Sequence, residues 1–266
     1  MSAEIRTTED VRNRSSVAGK TAVVTGGSSG IGRAIAAAFV ADGADVVVCS
    51  RTQADVDAVA EELNDADLPG SVLPVECDVT DRDDVDALAT ATVEEFGGVD
   101  VLVNNAGGAG EGGPLHEVSP AEWERVVDVN LTGTYNVTHA FADPLREDGG
   151  AVVNTASMAG RYGVAGMGPY SAAKAGVVSL TRTLASEWAA DDVRVNAVNP
   201  GFIATEGVRE WLGIEGIPDR ETVDREVGTT EEVADVVRFL ASDAASFVTG
   251  QTVAPTGPPN LYTAPQ

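Results

Sequence analysis

Residues 21–50 read TAVVTGGSSGIGRAIAAAFVADGADVVVCS. The stretch opens with a short apolar strand signal, TAVVT at 21–25, turns through TGGSSGIG at 25–32, and carries apolar residues at helical spacing from Ile31 to Val40. DVVVCS at 45–50 is a second strand signal. Strand, glycine turn, helix and strand in this order form a βαβ unit, the building block of a parallel sheet. Gly26, Gly30 and Gly32 fall where the first strand becomes the helix. Residues without a side chain let the chain turn tightly there and let backbone N–H groups approach a pyrophosphate at the helix N-terminus. Ser28, Ser29 and Ile31 line the same turn.

The alternation continues along the chain. Helix signals lie around 54–63, over 81–96 and over 120–140, and strand signals at 72–77, 99–105, 151–157 and 193–198. GQTVA at 250–254 makes a seventh strand. The pattern predicts a single α/β domain, a Rossmann-type doubly wound parallel sheet of seven strands with ligands at the carboxyl ends of the central strands. Residues 1–18 are polar and read as a flexible arm before a catalytic domain at 19–254. Within that domain, residues 206–228 are interrupted by glycine and contain Trp211, Ile214 and Ile217, which suits a substrate lid. Residues 255–266 carry Pro255, Pro258 and Pro259, which cannot donate to a sheet ladder and prescribe an extended tail. Trp123 and Trp188 read as helix-face packing.

YSAAK at 170–174 puts Tyr170 and Lys174 side by side on one helix face, since the i, i+4 spacing repeats about every helical turn. A cation beside a phenol favours the phenolate and draws a tyrosine towards general acid/base chemistry. The pair follows NNAG at 104–107, Asn130 and Ser157 in order. At the end of the second strand, a carboxylate would bond the adenosine ribose of NAD and repel the extra phosphate of NADP. Ser50 and Arg51 stand there instead, a hydroxyl and a guanidinium suited to a 2′-phosphate. NADP(H) is favoured, with NAD(H) possible as the second cofactor.

This ordered set resembles the classical short-chain dehydrogenase/reductase family over about residues 19–253. The resemblance implies sheet order 3-2-1-4-5-6-7 and a catalytic tetrad of Asn130, Ser157, Tyr170 and Lys174. It further implies that Asp78 caps a turn and accepts from the adenine amino group, with Val79 beside it. Asn104 would hold the fourth strand to its neighbour, while Asn105, Ala106 and Gly107 leave room for the ribose. In PGFIAT at 200–205, Pro200 and Gly201 form a turn, and Ile203 and Thr205 match positions that contact the cofactor. Tyr170 would exchange a proton with the substrate oxygen and Ser157 would orient that oxygen. Lys174 would hold the nicotinamide ribose and lower the tyrosine pKa, and Asn130, at an irregularity in its helix, would hold a water relaying protons to Lys174. The implied reaction interconverts a secondary alcohol and a ketone, with 3-oxoacyl thioesters and sugars among the candidates. A second reading is enoyl-thioester reduction, since NLTGTY at 130–135 and LASEWA at 184–189 look similar to that branch. A third, a nucleotide-sensing oligomer without turnover, requires a damaged tetrad. The chain departs from the family at its end, where VAPTGPPNLYTAPQ replaces an acidic residue followed by paired glycines. A homotetramer is expected, with a dimer as the alternative, because helices carrying Asn130 and Tyr170 pair across a two-fold axis in relatives. Ala172, Ala173, Ala175 and Gly176 permit close contact there, and Val177 and Leu180 add apolar area.

The formal charge of -25 excludes a nucleic-acid binder, which needs clustered Lys and Arg. Cys49 and Cys77 are too few for a disulfide framework and lack metal spacing, so both read as buried free thiols. His116 and His139 are the only histidines, and no metal site is expected. No apolar run reaches the roughly 18 residues of a membrane span, and MSAEIRTTED lacks a signal's apolar core, so a cytoplasmic protein is expected. Lys20 and Lys174 are the only lysines, and the acids are spread through helical segments. That dispersal points to adaptation to high salt, where the Debye length falls to about 3 Å and carboxylate repulsion is screened. The melting temperature should accordingly rise between low and molar KCl in a thermal scan, and a flat or falling trend would remove the halophilic reading.

Overall fold

Valines and leucines on alternate positions of a parallel sheet, buried on both faces, organise the molecule. The computed structural model describes residues 7–216 and 222–258. In chain order its elements are α1 (Thr8–Arg14), β1 (Thr21–Thr25), α2 (Gly30–Asp42), β2 (Asp45–Ser50), α3 (Gln53–Asn64), β3 (Val72–Glu76), α4 (Arg82–Phe96) and β4 (Val101–Asn104). They continue with α5 (Pro120–Val127), α6 (Gly133–Ala140), α7 (Ala142–Glu147), β5 (Gly150–Thr155), α8 (Met158–Tyr162), α9 (Gly168–Glu187) and β6 (Val193–Val198). The last are β7 (Phe202–Ile203), α10 (Glu206–Leu212), β8 (Val227–Gly228), α11 (Thr230–Ala241) and β9 (Thr252–Val253). Seven strands pair in the order β3-β2-β1-β4-β5-β6-β9, every pair parallel. β9 is the expected seventh strand, shortened to two residues, and β7 with β8 forms a separate small ladder.

Val24, Val48, Val103 and Val153 face α2, α3 and α11. Val23, Val47, Leu102 and Val152 face α4, α6, α7 and α9. Each such side chain, taken fully out of water, contributes about 1.5–3 kcal/mol, so one-residue register slips are strongly disfavoured. The helices begin and end where their sequence allows. Asp81 accepts from Asp83 N and Asp84 N at the start of α4, Thr229 and Glu232 form a capping box on α11, and Gly43 ends α2 at φ 99°. Trp188 is buried in the core as expected, whereas Trp123 is exposed on α5, contrary to its reading as packing.

The expected flexible arm is corrected over residues 7–18. Thr7 and Asp10 form a capping box on α1, and Arg14 donates to Asp243 O at 2.7 Å and Ser246 Oγ at 2.9 Å. Val17 is fully buried in the core, and its amide donates to Asp42 Oδ2 at 2.8 Å. The anchoring comes from partners more than two hundred residues away in sequence, so no local pattern announces it. The expected single helix over 120–140 is interrupted by a π-helical segment, Asp128–Thr132, which places an irregularity at Asn130. Residues 1–6 of the expected arm, Ile217 and its neighbours to 221 in the expected lid, and Pro259 onward in the expected tail lie outside the described residues. Among the described residues, no helix is long and apolar enough to cross a membrane.

Candidate active site

A cleft of about 670 Å³ opens at the carboxyl edge of the sheet, on both sides of β1 where the strand order reverses. Its floor is the junction of β1 with α2. Gly26 and Gly30 adopt φ of +64° and +53°, the left-handed region that favours glycine. A Cβ on Gly32 would lie 2.1 Å from Gly26 O, so no side chain fits at that position. Ser29 precedes α2 in an extended conformation and makes no side-chain cap bond, so the first-turn amides face the cleft without that partner. Of the residues expected in the tetrad or against the cofactor, Gly32 alone does not line the cleft; it is buried beneath Gly26.

Thr25 was not anticipated. Its Oγ1 accepts from Asn105 N at 2.9 Å and Ala106 N at 3.0 Å, and Asn105 Nδ2 donates to Thr25 O at 3.1 Å. These bonds hold the ends of β1 and β4 together, and a strand-end hydroxyl after an apolar run was the available signal. Asn104 acts as expected, with Nδ2 donating to Asn154 Oδ1 and to Thr138 Oγ1, both at 2.9 Å.

At one end of the cleft lie Ser50, Arg51, Asp78 and Val79. Ser50 Oγ donates to Thr52 O at 3.3 Å, while the exposed Arg51 guanidinium has no hydrogen-bond or ion-pair partner among the described residues. Asp78 Oδ1 accepts from Thr80 N at 2.9 Å and Thr80 Oγ1 at 2.7 Å, which is the expected turn cap. Val79 is fixed from α6: Asn136 Nδ2 donates to Val79 O at 3.0 Å, and a Cβ on Gly133 would lie 2.5 Å from Val79 Cγ2. Cys49 and Cys77 are buried free thiols in contact, and that contact together with burial pushes the Cys49 thiol up.

At the other end stand the four residues of the expected tetrad. Ser157 opens α8, its Oγ accepting from Ala159 N at 3.1 Å, and lines the cleft together with Tyr170. Burial pushes the Tyr170 phenol above its ordinary value, and Ser157 opposes the rise. The expected lowering belongs to Lys174 together with the cationic nicotinamide ring; from the protein groups alone the direction is upward. The Lys174 ammonium lies 5.7 Å from the ring centroid and donates to Thr155 O at 2.7 Å, so desolvation dominates at Tyr170. Lys174 is itself 3% exposed, and burial lowers it from 10.5 to about 8. It still carries its proton at neutral pH, at a cost on the order of 3 kcal/mol to the fold. The unfolded chain binds this proton more tightly than the folded one, so stability rises as pH climbs from about 8 to 10.5.

Asn130 sits in the π segment with no exposed surface. Its Nδ2 donates to Gly108 O and Val126 O, both at 2.8 Å, and its Oδ1 accepts from Gly108 N at 3.2 Å. The side-chain amide thereby clamps the chain after β4. A Cβ on Gly107 would lie 2.5 Å from Asn130 Oδ1 and 3.1 Å from Lys174 Nζ, which requires glycine between them. Gly108, Ala109, Arg125, Val126 and Val129 also line the cleft and were missed. Three of these precede Asn130 by five, four and one residues on its helix, a spacing that pointed to them.

Pro200, Gly201, Ile203 and Thr205 close the remaining side. Gly201 N donates to Pro255 O at 3.2 Å, so the described part of the proline-rich tail runs against this turn. Thr205 caps α10 by accepting from Val208 N and packs over Gly30, whose Cβ would lie 3.2 Å from Thr205 Cγ2. Glu206, Gly207 and Val208 bring the first turn of α10 to the cleft.

A family model described as Enoyl-(Acyl carrier protein) reductase matches residues 26–257 of the chain. The 3-oxoacyl-(acyl-carrier-protein) reductase of Thermotoga maritima is 39% identical over 243 residues, covering 88% of this chain and 95% of its own. The cis-4-hydroxycyclohexanecarboxylate dehydrogenase of Sinomonas cyclohexanicum is 43% identical over 247 residues, covering 90% and 95%. Among solved structures, a short-chain type dehydrogenase/reductase from Mycobacterium marinum superposes with a TM-score of 0.85 at 33% identity, covering 96% of this chain and 100% of its own. Likeness of that extent, over a cleft built at the same switch point of the sheet, shows that the chain is an oxidoreductase and belongs to the short-chain dehydrogenase/reductase family.

Proposed function

We propose that the enzyme is an NADP(H)-dependent oxidoreductase interconverting a secondary alcohol and a ketone, with Tyr170 as the acid/base. The observation that carries this reading is the meeting of Ser157, Tyr170 and buried Lys174 in the same cleft as the first turn of α2. The residues present fit a dinucleotide: Gly26 and Gly32 keep the cradle free of side chains, and Gly107 has no room for one. When bound, the nicotinamide supplies or accepts a hydride. Gly26 to Gly32 and the α2 N-terminus hold the pyrophosphate, Asp78 and Val79 the adenine, and Asn105 to Gly107 leave space for a ribose. Lys174 would hold the nicotinamide ribose, and Ile203 and Thr205 would contact the carboxamide and phosphates. Ser157 orients the substrate oxygen. Tyr170 gives that oxygen a proton in reduction and removes it in oxidation.

Relatives acting on a 3-oxoacyl thioester and on a cyclic hydroxy acid support a 3-oxoacyl thioester or another hydroxy or oxo compound as substrate. The name of the matching family model favours enoyl-thioester reduction as the second reading, and a turnover screen over ketones, 3-oxoacyl thioesters and enoyl thioesters separates the two. A sensor without turnover is disfavoured because all four tetrad residues line the cleft. Residues 206–228 act as the substrate lid, supported by the approach of α10 to the cleft.

Tyr170→Phe keeps the ring and loses the transferable proton. Turnover should fall about 10²- to 10⁴-fold while NADPH binding stays near the wild-type value. Wild-type activity in this variant would disprove the assigned role.

Arg51 decides the cofactor, since its guanidinium, exposed and without a partner among the described residues, suits the 2′-phosphate. Arg51→Ala should weaken NADPH about tenfold or more and leave NADH nearly unchanged, and Ser50→Asp with Arg51→Ala should invert the preference. Equal losses for both cofactors in a binding titration would refute the assignment.

The assembly is a homotetramer. Ala173 and Val177 pack within the subunit, correcting their place in the expected interface, but Ala172 and Ala175 are exposed on α9 and Trp123 and Tyr135 on α5 and α6. Phe239 on α11 and fully exposed Phe247 each offer apolar surface for the second two-fold contact. Light scattering in molar salt should give four subunits; a stable, active monomer would exclude the assembly.

A further inference from the structure

The chain after β4 crosses the mouth of the cleft as GGAGEGG, residues 107–113, five of them glycine. Glycine loses the most conformational entropy on ordering, so such a segment makes a defined wall only if it is tied down. It is tied at three points. Asn130 clamps Gly108 through both its N–H and its C=O, and Gly113 N donates to Gly166 O at 2.8 Å. Between them, Glu111 N donates to Glu122 Oε1 at 2.8 Å. Glu122 is in turn gripped by Arg125, whose Nε and Nη2 donate to its two oxygens at 2.8 Å each. Gly110, at φ +79°, runs so close that a Cβ there would lie 2.5 Å from Glu122 Oε1 and 2.6 Å from Val126 Cγ2.

Gly108 and Ala109 line the cleft on one side of this middle tie. On the other, Gly113 bridges to Met167, three residues before Tyr170, and a Cβ on Gly168 would press on Leu115 at 3.0 Å. The segment therefore links α5, the cleft wall and the turn that delivers Tyr170. Gly26 to Gly32, Ser50, Arg51 and Asp78, assigned to the cofactor, do not depend on it, and Gly107, assigned to the ribose, lies against Asn130 and Lys174 ahead of the Glu111 tie.

We propose that Glu122 is a positioning residue for the substrate: through the Glu111 amide it fixes residues 108–113 as the substrate wall and holds that wall in register with Tyr170. The proposal rests on the alcohol/ketone reading above. The Arg125 bond holds the Glu122 carboxyl below its usual range, so the latch stays ionised through neutral and mildly acidic pH.

The test compares Glu122→Ala, Glu122→Gln and Gly110→Ala with wild type, using the best carbonyl substrate of the turnover screen and NADPH. Amide hydrogen exchange of residues 108–113 is followed in parallel on the protein alone. Glu122→Ala should raise KM for the carbonyl compound about tenfold, leave NADPH Kd within about twofold, and speed exchange across the segment. Gln keeps an oxygen for the Glu111 amide and should recover most of the loss. Gly110→Ala, which displaces the carboxylate without removing it, should reproduce the Ala defect and serves if Glu122→Ala fails to fold. Unchanged KM and exchange, or KM and NADPH Kd rising together, would overturn the positioning role. Absence of carbonyl turnover by the wild type would instead overturn the alcohol/ketone reading, and the role in substrate placement with it.

Discussion

The carboxyl edge of the sheet depends on a close approach between the ends of β1 and β4. Asn105 Nδ2 reaches Thr25 O and Gly26 O, Thr25 Oγ1 receives the amides of Asn105 and Ala106, and Gly32 lies against Gly26 O with no space for a methyl group. Two backbone segments and the first turn of α2 become one unit. Because buried backbone groups must find partners, this unit fixes where the remaining amides point, and those amides face the cleft. A larger residue at position 26 or 32 would part the strands before it affected any ligand.

A second constraint is the burial of Lys174. An ammonium removed from water needs compensation, and here it receives one carbonyl, that of Thr155, with Asn130 on the other side of Gly107. The π segment carries Asn130 to that place and gives its amide three backbone bonds. Stability is therefore reduced locally to keep a cation beside the Ser157–Tyr170 pair, a trade found where function requires a charge that folding alone would reject.

The positive charge that remains in so acidic a chain is used in tertiary structure. Arg194 is partly buried and donates to the carbonyls of Leu240, Ala241, Ser242 and Ala245, closing the C-terminal end of α11 where unpaired C=O groups collect. Arg14 reaches Asp243 O close by, and Arg238 donates to Ser15 O. These contacts hold α1 on the domain and explain how a polar terminal segment can be ordered with only Val17 in the core.

The glycine turn at 25–32, the alternation of strands and helices, and the ordered Asn130, Ser157, Tyr170 and Lys174 were legible in the sequence because each is a local pattern of period, turn chemistry or residue type. The same applies to the turn cap at Asp78 and to Asn104, whose roles follow from short polar side chains at strand ends. Tertiary structure alone decided the docking of α1, the clamp of Thr25 on Asn105 and the latch of Glu122 on the glycine wall. It also decided the direction in which Tyr170 shifts. Each of these is set by partners on another segment of the fold or by how much water is excluded, and both are properties of the packed chain that residue spacing does not encode.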